Sequence, residues 1–189
     1  ETDSLDRHIE FNIELAERFS DMCDGLYDIR IKPLTEAWGF ADKRSDGKVP
    51  NVDSLLEFVG YRKISIQDGR LQRADSRMQI DLNSIAKGYT VDLMAEELEA
   101  MGIENYMVNI GGEIRCRGLN SRGTEWSIGV ETPYDGNFSS DSFEKIISKS
   151  DCAMATSGNY RRFYTPDDGQ KVAHTLNPKT GYSAISTLL

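Results

Sequence analysis

Residues 80–118 combine Lys87, the carboxylates of Asp81 and Glu113, and two adjacent glycines in one stretch, IDLNSIAKGYTVDLMAEELEAMGIENYMVNIGGEIRCRG. Asp81 ends an apolar run, and Lys87 lies one turn into a helix that the pattern predicts from about Ser84 to Met101. A helix start exposes backbone N–H groups and the positive end of the helix dipole, which together bind phosphate. The stretch therefore predicts a site for a phosphorylated ligand and a metal, with Lys87 on a phosphate oxygen and Asp81 on a base or ribose.

The same residues also have a structural interpretation, which their spacing alone favours. Asn83 or Ser84 would cap the helix, and Lys87 would be a solvated surface residue. The Gly111–Gly112 pair would form a tight hairpin turn; its other use is to let a ligand approach the backbone beside Glu113, since no Cβ is in the way. The chain contains neither GxxxxGK[ST] nor GxGxxG, so standard P-loop and Rossmann sites are disfavoured.

Two later segments place small or titratable side chains at the ends of predicted strands. His174 lies in KVAHTLNPKTG, where a strand runs into an Asn-Pro-Lys-Thr-Gly turn. A histidine there can act as a general base because its unperturbed pKa lies near neutral pH, although the pattern alone more often marks a structural residue. Thr156, in ATSG, supplies a hydroxyl beside small residues or belongs to a polar turn.

Short helices and strands must position these residues. Apolar periodicity predicts a helix over residues 4–24 and a short helix capped by Asp53, while KISIQDGRLQR is typical of a hairpin. Residues 35–50 are predicted as a surface loop. Strands are predicted at 27–34, 78–82, 106–110, 114–116 and 126–130, the last continuing the sheet of 106–116, and at FEKII, AMATS, RRFYT and KVAHT. The sum is an α+β fold, mainly antiparallel sheet with packed helices.

Composition excludes some classes of function. The 189 residues carry a formal net charge of −9, which disfavours nucleic-acid binding through a basic face. No apolar run reaches the ~20 residues of a membrane span, and no linker divides the chain, so one domain over residues 1–189 is expected. The chain starts at Glu1 rather than at Met, which predicts a processed or shortened chain. Cys23, Cys116 and Cys152 are odd in number and far apart, which predicts buried free thiols rather than a zinc knuckle or a disulfide framework.

Four segments, taken in order, resemble the ApbE family, the FAD:protein FMN transferases. They are GLYDIRIKPLTEAWGF, then DLNSIAKGYTVD with NYMVNIGGEIRCRG, then ATSGNYRRF, and finally HTLNPKTGYS. One such segment would be a weak signal, but four in register are specific, and the resemblance runs from about Phe11 almost to the end. It implies an α+β fold that binds FAD as substrate, with Mg²⁺ at the diphosphate.

The resemblance also implies a reaction. A threonine or serine hydroxyl of an acceptor flavoprotein subunit attacks the FAD diphosphate, FMN becomes linked to that subunit through a phosphoester, and AMP leaves. Two alternatives stay open: a pyrophosphatase that hydrolyses FAD to FMN and AMP, and a flavin-binding module without catalysis. Most family members act outside the cytoplasm, so the resemblance implies the periplasmic or cell-envelope side of a bacterial membrane, with a lipid anchor on the full-length protein.

Positions that match the family's motifs carry expected roles. His174 matches the general base on the incoming hydroxyl, and Ser84 matches a magnesium ligand at the helix start. The expected FAD contacts are Leu26, Tyr27, Asp28, Asp81, Lys87, Thr175 and Leu176, with Glu113 and Thr156 at further motif positions. Family members begin earlier and continue later, into a segment whose Asp and Thr are the main metal ligands, and this chain is expected to lack both segments.

Overall fold

The computed structural model describes residues 4–41, 49–132, 143–159, 163–165 and 171–184, which form two compact units. Unit 1 contains the described residues up to Leu82 and from Phe163 onward, and unit 2 contains those from Asn83 to Asn159. The mixture of helices and antiparallel strands confirms the predicted α+β class. The expectation of one domain over residues 1–189 stays a prediction.

The helices are short apart from the first and the last. Their bounds are α1 Arg7–Met22, a 3₁₀ helix Ile29–Ile31, α2 Lys32–Ala37, α3 Val52–Leu56 and α4 Ala86–Ala100. The strands are β1 Ile64–Gln67, β2 Arg70–Arg73, β3 Tyr106–Ile110, β4 Glu113–Arg117, β5 Trp126–Glu131, β6 Phe143–Lys149, β7 Cys152–Met154, β8 Phe163–Tyr164 and β9 Val172–Ala173. Over the described ranges, none of the helices combines the length and the hydropathy that a bilayer crossing requires.

Unit 1 packs its short helices around one apolar cluster. Helix α1 begins after Asp6, whose carboxylate accepts hydrogen bonds from the backbone N–H groups of His8 and Ile9, which satisfies two first-turn donors. The β1–β2 hairpin pairs Gln67 with Arg70 across the predicted two-residue turn. The apolar cluster consists of Leu34, Trp38, Val52, Val59, Val172 and Leu176.

The strand predicted over residues 27–34 is wrong, because this segment forms the 3₁₀ helix and enters α2. The Asp28 carboxylate accepts from the Arg30 backbone N–H at 2.9 Å and caps the 3₁₀ helix. Pro33 lies in the first turn of α2, where its missing N–H costs nothing. The alternation of isoleucines in this segment resembled a strand, but the cap and the proline determine a helix.

Two further expectations in unit 1 need correction. Residues 78–82 form no strand, because their backbone makes isolated contacts instead: the Asp81 N–H donates to the Ile29 carbonyl at 2.6 Å, and the Met78 carbonyl accepts from Arg73. The predicted loop at 35–50 begins inside α2, and its residues 42–48 lie outside the described chain. The short third helix is confirmed, although Asn51 rather than Asp53 is its cap.

Unit 2 contains a three-stranded antiparallel sheet of order β3-β4-β7 with a helix on one face. Val91 and Ala95 of α4 pack with Tyr106 and Val108 of β3. The other face packs Ile114 and Cys116 against Ile128 of β5. The expectation that β5 continues this sheet is wrong, since β5 pairs with β6 in a separate two-stranded sheet and β7 takes the place beside β4.

Candidate functional site

In unit 2, helix α4 begins after an apolar N-cap residue. The helix begins at Ala86, and its N-cap residue is Ile85, which makes no side-chain capping hydrogen bond. The expectation that Asn83 or Ser84 is the N-cap is therefore wrong, because the helix starts one to two residues later. An apolar N-cap supplies no acceptor to the first-turn N–H groups, and such a helix start favours an anionic ligand.

The two charged residues predicted for this region contact each other directly. The Lys87 ammonium donates to both carboxylate oxygens of Glu113, with Nζ–Oε1 and Nζ–Oε2 distances of 2.7 Å. Lys87 keeps 48% of its side-chain surface exposed and Glu113 keeps 21%. Lys87 is therefore held by an ion pair rather than freely solvated, and about half of its side-chain surface remains exposed.

The Gly111–Gly112 pair forms the tight turn between β3 and β4. Ile110 pairs with Glu113 across it, and the φ angles of +59° and +99° fit a type I′ turn. The Asn109 side-chain oxygen accepts from the Gly112 N–H at 3.0 Å. A Cβ on Gly111 would lie 3.8 Å from Lys87 Nζ, so the turn backbone runs directly beside the ammonium.

The sheet register brings Thr156 toward the same end of unit 2. Met154 pairs with Ile114, and β7 runs antiparallel to β4. Residues after Met154 therefore extend toward Glu113 and the glycine turn, and Thr156 is exposed there. Ser84 is exposed in the turn that precedes α4. Unit 2 thus collects Lys87, Glu113 and Thr156 at one end of its sheet.

In unit 1, Asp28 is a buried carboxylate with a cationic partner. Its Oδ1 accepts from Arg30 Nη1 at 3.1 Å as well as from the Arg30 backbone, and the Arg30 guanidinium also contacts Glu17. Burial raises the pKa of Asp28 to about 6, although hydrogen bonds from the backbone N–H groups of Arg30 and Gly60 act in the opposite direction. Burial likewise lowers the pKa of Arg30 to about 10.

Arg30, which is completely buried, is not among the residues predicted from the sequence. The available signal was an aspartate two residues before an arginine, a spacing that lets one carboxylate cap a turn and pair with the guanidinium. Asp28 also lines a cavity of about 330 Å³, together with Gly25, Val59, Tyr61, Pro178 and Lys179. Asp28 thus lines a cavity, but its carboxylate already accepts hydrogen bonds from Arg30 that hold the local fold.

The other expected contacts of this stretch lie close by within unit 1. Leu26 is 57% exposed, and Tyr27 is half-buried, its ring edge-on to Phe19 at 6.3 Å between centroids. The Asp81 backbone bonds to Ile29, the next residue after Asp28. The structure therefore brings Asp81 to the 26–28 stretch despite more than fifty intervening residues.

His174 follows β9 and begins a closed turn. The Thr175 carbonyl accepts from the Ala184 N–H at 2.9 Å, and the Asn177 carbonyl accepts from the Gly181 N–H at 2.7 Å. His174 is half-buried, and its ring lies 6.3 Å from the Phe40 ring centroid in an edge arrangement. Thr175 is exposed, whereas Leu176 is 6% exposed and belongs to the apolar cluster of unit 1.

The metal expectation has little support from the described side chains. Within the described ranges, no group of three or more His, Cys, Asp or Glu residues lies close enough to hold a metal ion. Mg²⁺ takes oxygen ligands and often only one or two carboxylates when phosphates supply the rest, and here Ser84 would offer a single hydroxyl. The described residues do not form a metal site by themselves.

Comparisons of sequence and of fold with known proteins point to one family. The ApbE family model matches residues 3–189. Similar relatives include the FAD:protein FMN transferases of Vibrio cholerae, 37% identical over 89% of this chain and 50% of that protein, and of Haemophilus influenzae, 37% identical over 92% and 52%. The solved structure "Flavin Transferase ApbE from Vibrio cholerae" superposes with a TM-score of 0.83 at 33% identity, covering 98% of this chain and 59% of that one. The chain spans about half the length of the curated relatives that it matches. The chain belongs to the ApbE family.

Proposed function

We propose that the protein transfers FMN from FAD to a threonine or serine hydroxyl of an acceptor flavoprotein subunit, with release of AMP and with Mg²⁺ as cofactor. The observation that carries the proposal is the match of both sequence and fold to proteins named FAD:protein FMN transferase. The Lys87–Glu113 pair at an apolar-capped helix start adds a physical reason, because a net charge of −9 requires local help to bind a polyanion.

The residues of unit 2 would hold the diphosphate. The start of α4 and the Lys87 ammonium neutralise its negative charge, and Glu113 fixes the position of that ammonium. Ser84 would be one Mg²⁺ ligand. Mg²⁺, when bound, would supply further charge neutralisation on the phosphate oxygens.

The other positions that match the family's motifs would bind the rest of FAD and move the proton. Leu26, Tyr27, Asp28, Asp81, Thr175 and Leu176 match FAD contacts of the family, and His174 is the proposed base. A ring nitrogen of His174 accepts the proton of the acceptor hydroxyl as its oxygen bonds to the FMN phosphorus. The bond from that phosphorus to the bridging oxygen breaks, and the oxygen leaves on AMP. Alignment of the reacting groups and neutralisation of their charge account for most of the rate acceleration in such a phosphoryl transfer.

The test is covalent labelling of an acceptor. The full-length protein is incubated with FAD, Mg²⁺ and a panel of candidate acceptor subunits, each beside a version whose candidate threonine is replaced by alanine. We expect flavin fluorescence that survives denaturation only on an acceptor that keeps its threonine. Release of FMN and AMP with every acceptor unlabelled would replace transfer by hydrolysis, and FAD binding without any product would leave a non-catalytic flavin-binding module.

We also propose that the full-length protein acts on the periplasmic or cell-envelope side of a bacterial membrane, held there by a lipid anchor. The support is the resemblance to a family whose members mostly act outside the cytoplasm. Fractionation of cells that express the full-length protein tests this location. Membrane-associated protein that protease reaches from the outer side is expected, and recovery entirely with the cytosol would contradict it.

A further inference from the structure

Two cysteines that are 36 residues apart in sequence lie directly opposite each other in unit 2. Cys116 of β4 and Cys152 of β7 are register partners in the antiparallel sheet, and their Sγ atoms are 3.7 Å apart. Both are free thiols. The odd number and wide spacing of the three cysteines predict free thiols rather than a disulfide framework, but the pairing of β7 with β4 brings two of them together.

The geometry of the pair suits a covalent bond. Directly opposed residues in antiparallel strands have Cα atoms about 4.5–5.5 Å apart, inside the range of about 4.4–6.8 Å that disulfides span. The two sulfurs must approach from 3.7 Å to about 2.0 Å. Rotation of the two side chains can supply that movement while the strands keep their register.

We propose that Cys116 and Cys152 form a reversible cross-strand disulfide when the protein meets a small-molecule disulfide oxidant. Cys152 is half-buried and Cys116 is only 2% exposed, so Cys152 is the thiol that an oxidant reaches first. Both cysteines line a cavity of about 440 Å³ through which the oxidant can approach. Burial raises the pKa of Cys116, which fits its role as the second, slower thiol.

The reaction balances as a thiol–disulfide exchange. The Cys152 thiolate attacks one sulfur of the oxidant, which forms a mixed disulfide and releases one small thiol. Cys116 then loses its proton to solvent and attacks the Cys152 sulfur, which releases the second small thiol. The two cysteines lose two electrons and two protons in total, and the oxidant gains them as two thiols.

The bond would join the two strands that lead to the proposed phosphate site, at the end of their pairing that lies away from Glu113. It joins β4, which begins at Glu113, to β7, which leads to Thr156. A link that closes a loop of this length restricts the unfolded chain. Oxidation is therefore expected to raise the melting temperature by about 5–10 °C.

The third cysteine provides a matched control within the same chain. Cys23 belongs to unit 1 at the end of α1, where its sulfur donates to the Phe19 carbonyl at 3.0 Å and accepts from the Tyr27 N–H at 3.1 Å. A Cys23→Ser variant should still form the disulfide. Cys116→Ser and Cys152→Ser variants should not.

The experiment oxidises the whole chain with oxidised glutathione, then counts thiols after denaturation and maps peptides without reduction. We expect three titratable thiols to fall to one, and a peptide pair joined through Cys116 and Cys152 that is two hydrogens lighter than the separate peptides. The melting-temperature rise should persist in Cys23→Ser and disappear in Cys152→Ser. Three remaining thiols, a stable glutathione adduct on Cys152, or a link through Cys23 would overturn the proposal, and the peptide map of the unsubstituted chain decides even if a variant folds poorly.

Discussion

At the scale of single residues, Lys87 combines exposure with a fixed position. Its ammonium is 2.7 Å from both Glu113 carboxylate oxygens, and 48% of its side-chain surface is still exposed. An exposed ion pair of this kind contributes little to stability, so stability alone does not explain its bidentate geometry. Positioning of a cation beside the start of α4 is a more economical explanation.

A Lys87→Met substitution tests that explanation. We expect FAD affinity to fall by about tenfold to a hundredfold, because one hydrogen bond to a charged group contributes about 1.5–3 kcal/mol. The melting temperature should stay nearly unchanged. Flavin fluorescence titration measures the affinity, with Lys145→Met on exposed β6 as the control lysine in the same unit. Equal FAD affinity in both variants would remove Lys87 from the site.

His174 is the residue on which the proposed proton transfer depends. A general base typically contributes roughly 10²–10⁴-fold to a rate. His174→Asn should therefore slow FMN transfer by that factor while FAD binding stays within about twofold of the unsubstituted protein. Transfer at an undiminished rate would exclude His174 as the base, and loss of FAD binding would make it a binding residue instead.

At the scale of elements, the segment from Asp28 to α2 shows what local sequence misses. Its isoleucines alternate as in a strand, yet Asp28 caps a 3₁₀ helix and Pro33 opens α2. By contrast, the hairpin at Asp68-Gly69 could be predicted because both residues tolerate the left-handed backbone that the turn requires, with φ of +51° and +67°. A two-residue turn depends on the types of two adjacent residues, so the sequence predicts it directly. A helix cap, by contrast, can override the alternating apolar pattern that predicts a strand.

The buried Asp28 carboxylate makes stability depend on pH in a defined window. Its folded-state pKa of about 6 lies above the ordinary value of 3.8, so the folded protein binds this proton more tightly than the unfolded chain. The contribution of Asp28 to the free energy of unfolding is therefore greatest below about pH 4, and it is lost as pH rises through about 6. The loss amounts to about 2–3 kcal/mol across that window.

Urea unfolding of Asp28→Asn between pH 4 and 7 measures this effect. We expect the decline in the free energy of unfolding between pH 4 and 6 to disappear. Asp75→Asn is the control with the opposite sign, because the side-chain hydrogen bond from Arg77 lowers the pKa of Asp75 to about 2. Its contribution is lost only as pH falls below about 4, so the decline between pH 4 and 6 should remain. If the decline persisted in Asp28→Asn, Asp28 would not be the group that causes the loss of stability between pH 4 and 6.

The turn that carries His174, Thr175 and Leu176 depends on Gly181. Its φ is +76°, and a Cβ there would lie 2.2 Å from Val52 Cγ1 in the core of unit 1. Gly181→Ala should destabilise the protein by about 2–4 kcal/mol, since backbone strain and overpacking add. Gly112→Ala is the matched comparison: its φ is +99° but no atom lies within 4 Å of the new Cβ, so only about 1–2 kcal/mol is expected. Denaturant unfolding measures both losses of stability, and equal losses in Gly181→Ala and Gly112→Ala would contradict the role of the Val52 contact.

At the scale of the whole molecule, the sequence predicted the fold class and most helices and strands, but fewer of their partners. Alternation located β5 correctly, yet its pairing with β6 and the pairing of β7 with β4 depend on contacts between distant residues. For the same reason the spacing identified Lys87 and Glu113 separately without predicting their contact across 26 residues. Local patterns determine elements, whereas long-range packing determines which elements and side chains meet.

The central claim, that this ApbE family chain belongs to a protein that transfers FMN, is tested most directly by product stoichiometry. The full-length protein, FAD and Mg²⁺ are incubated with a labelled acceptor, and acceptor-bound FMN, free FMN and AMP are quantified in one reaction by mass spectrometry. We predict one AMP for each FMN bound to the acceptor, with little free FMN. AMP matched by free FMN, with the acceptor mass unchanged, would contradict it.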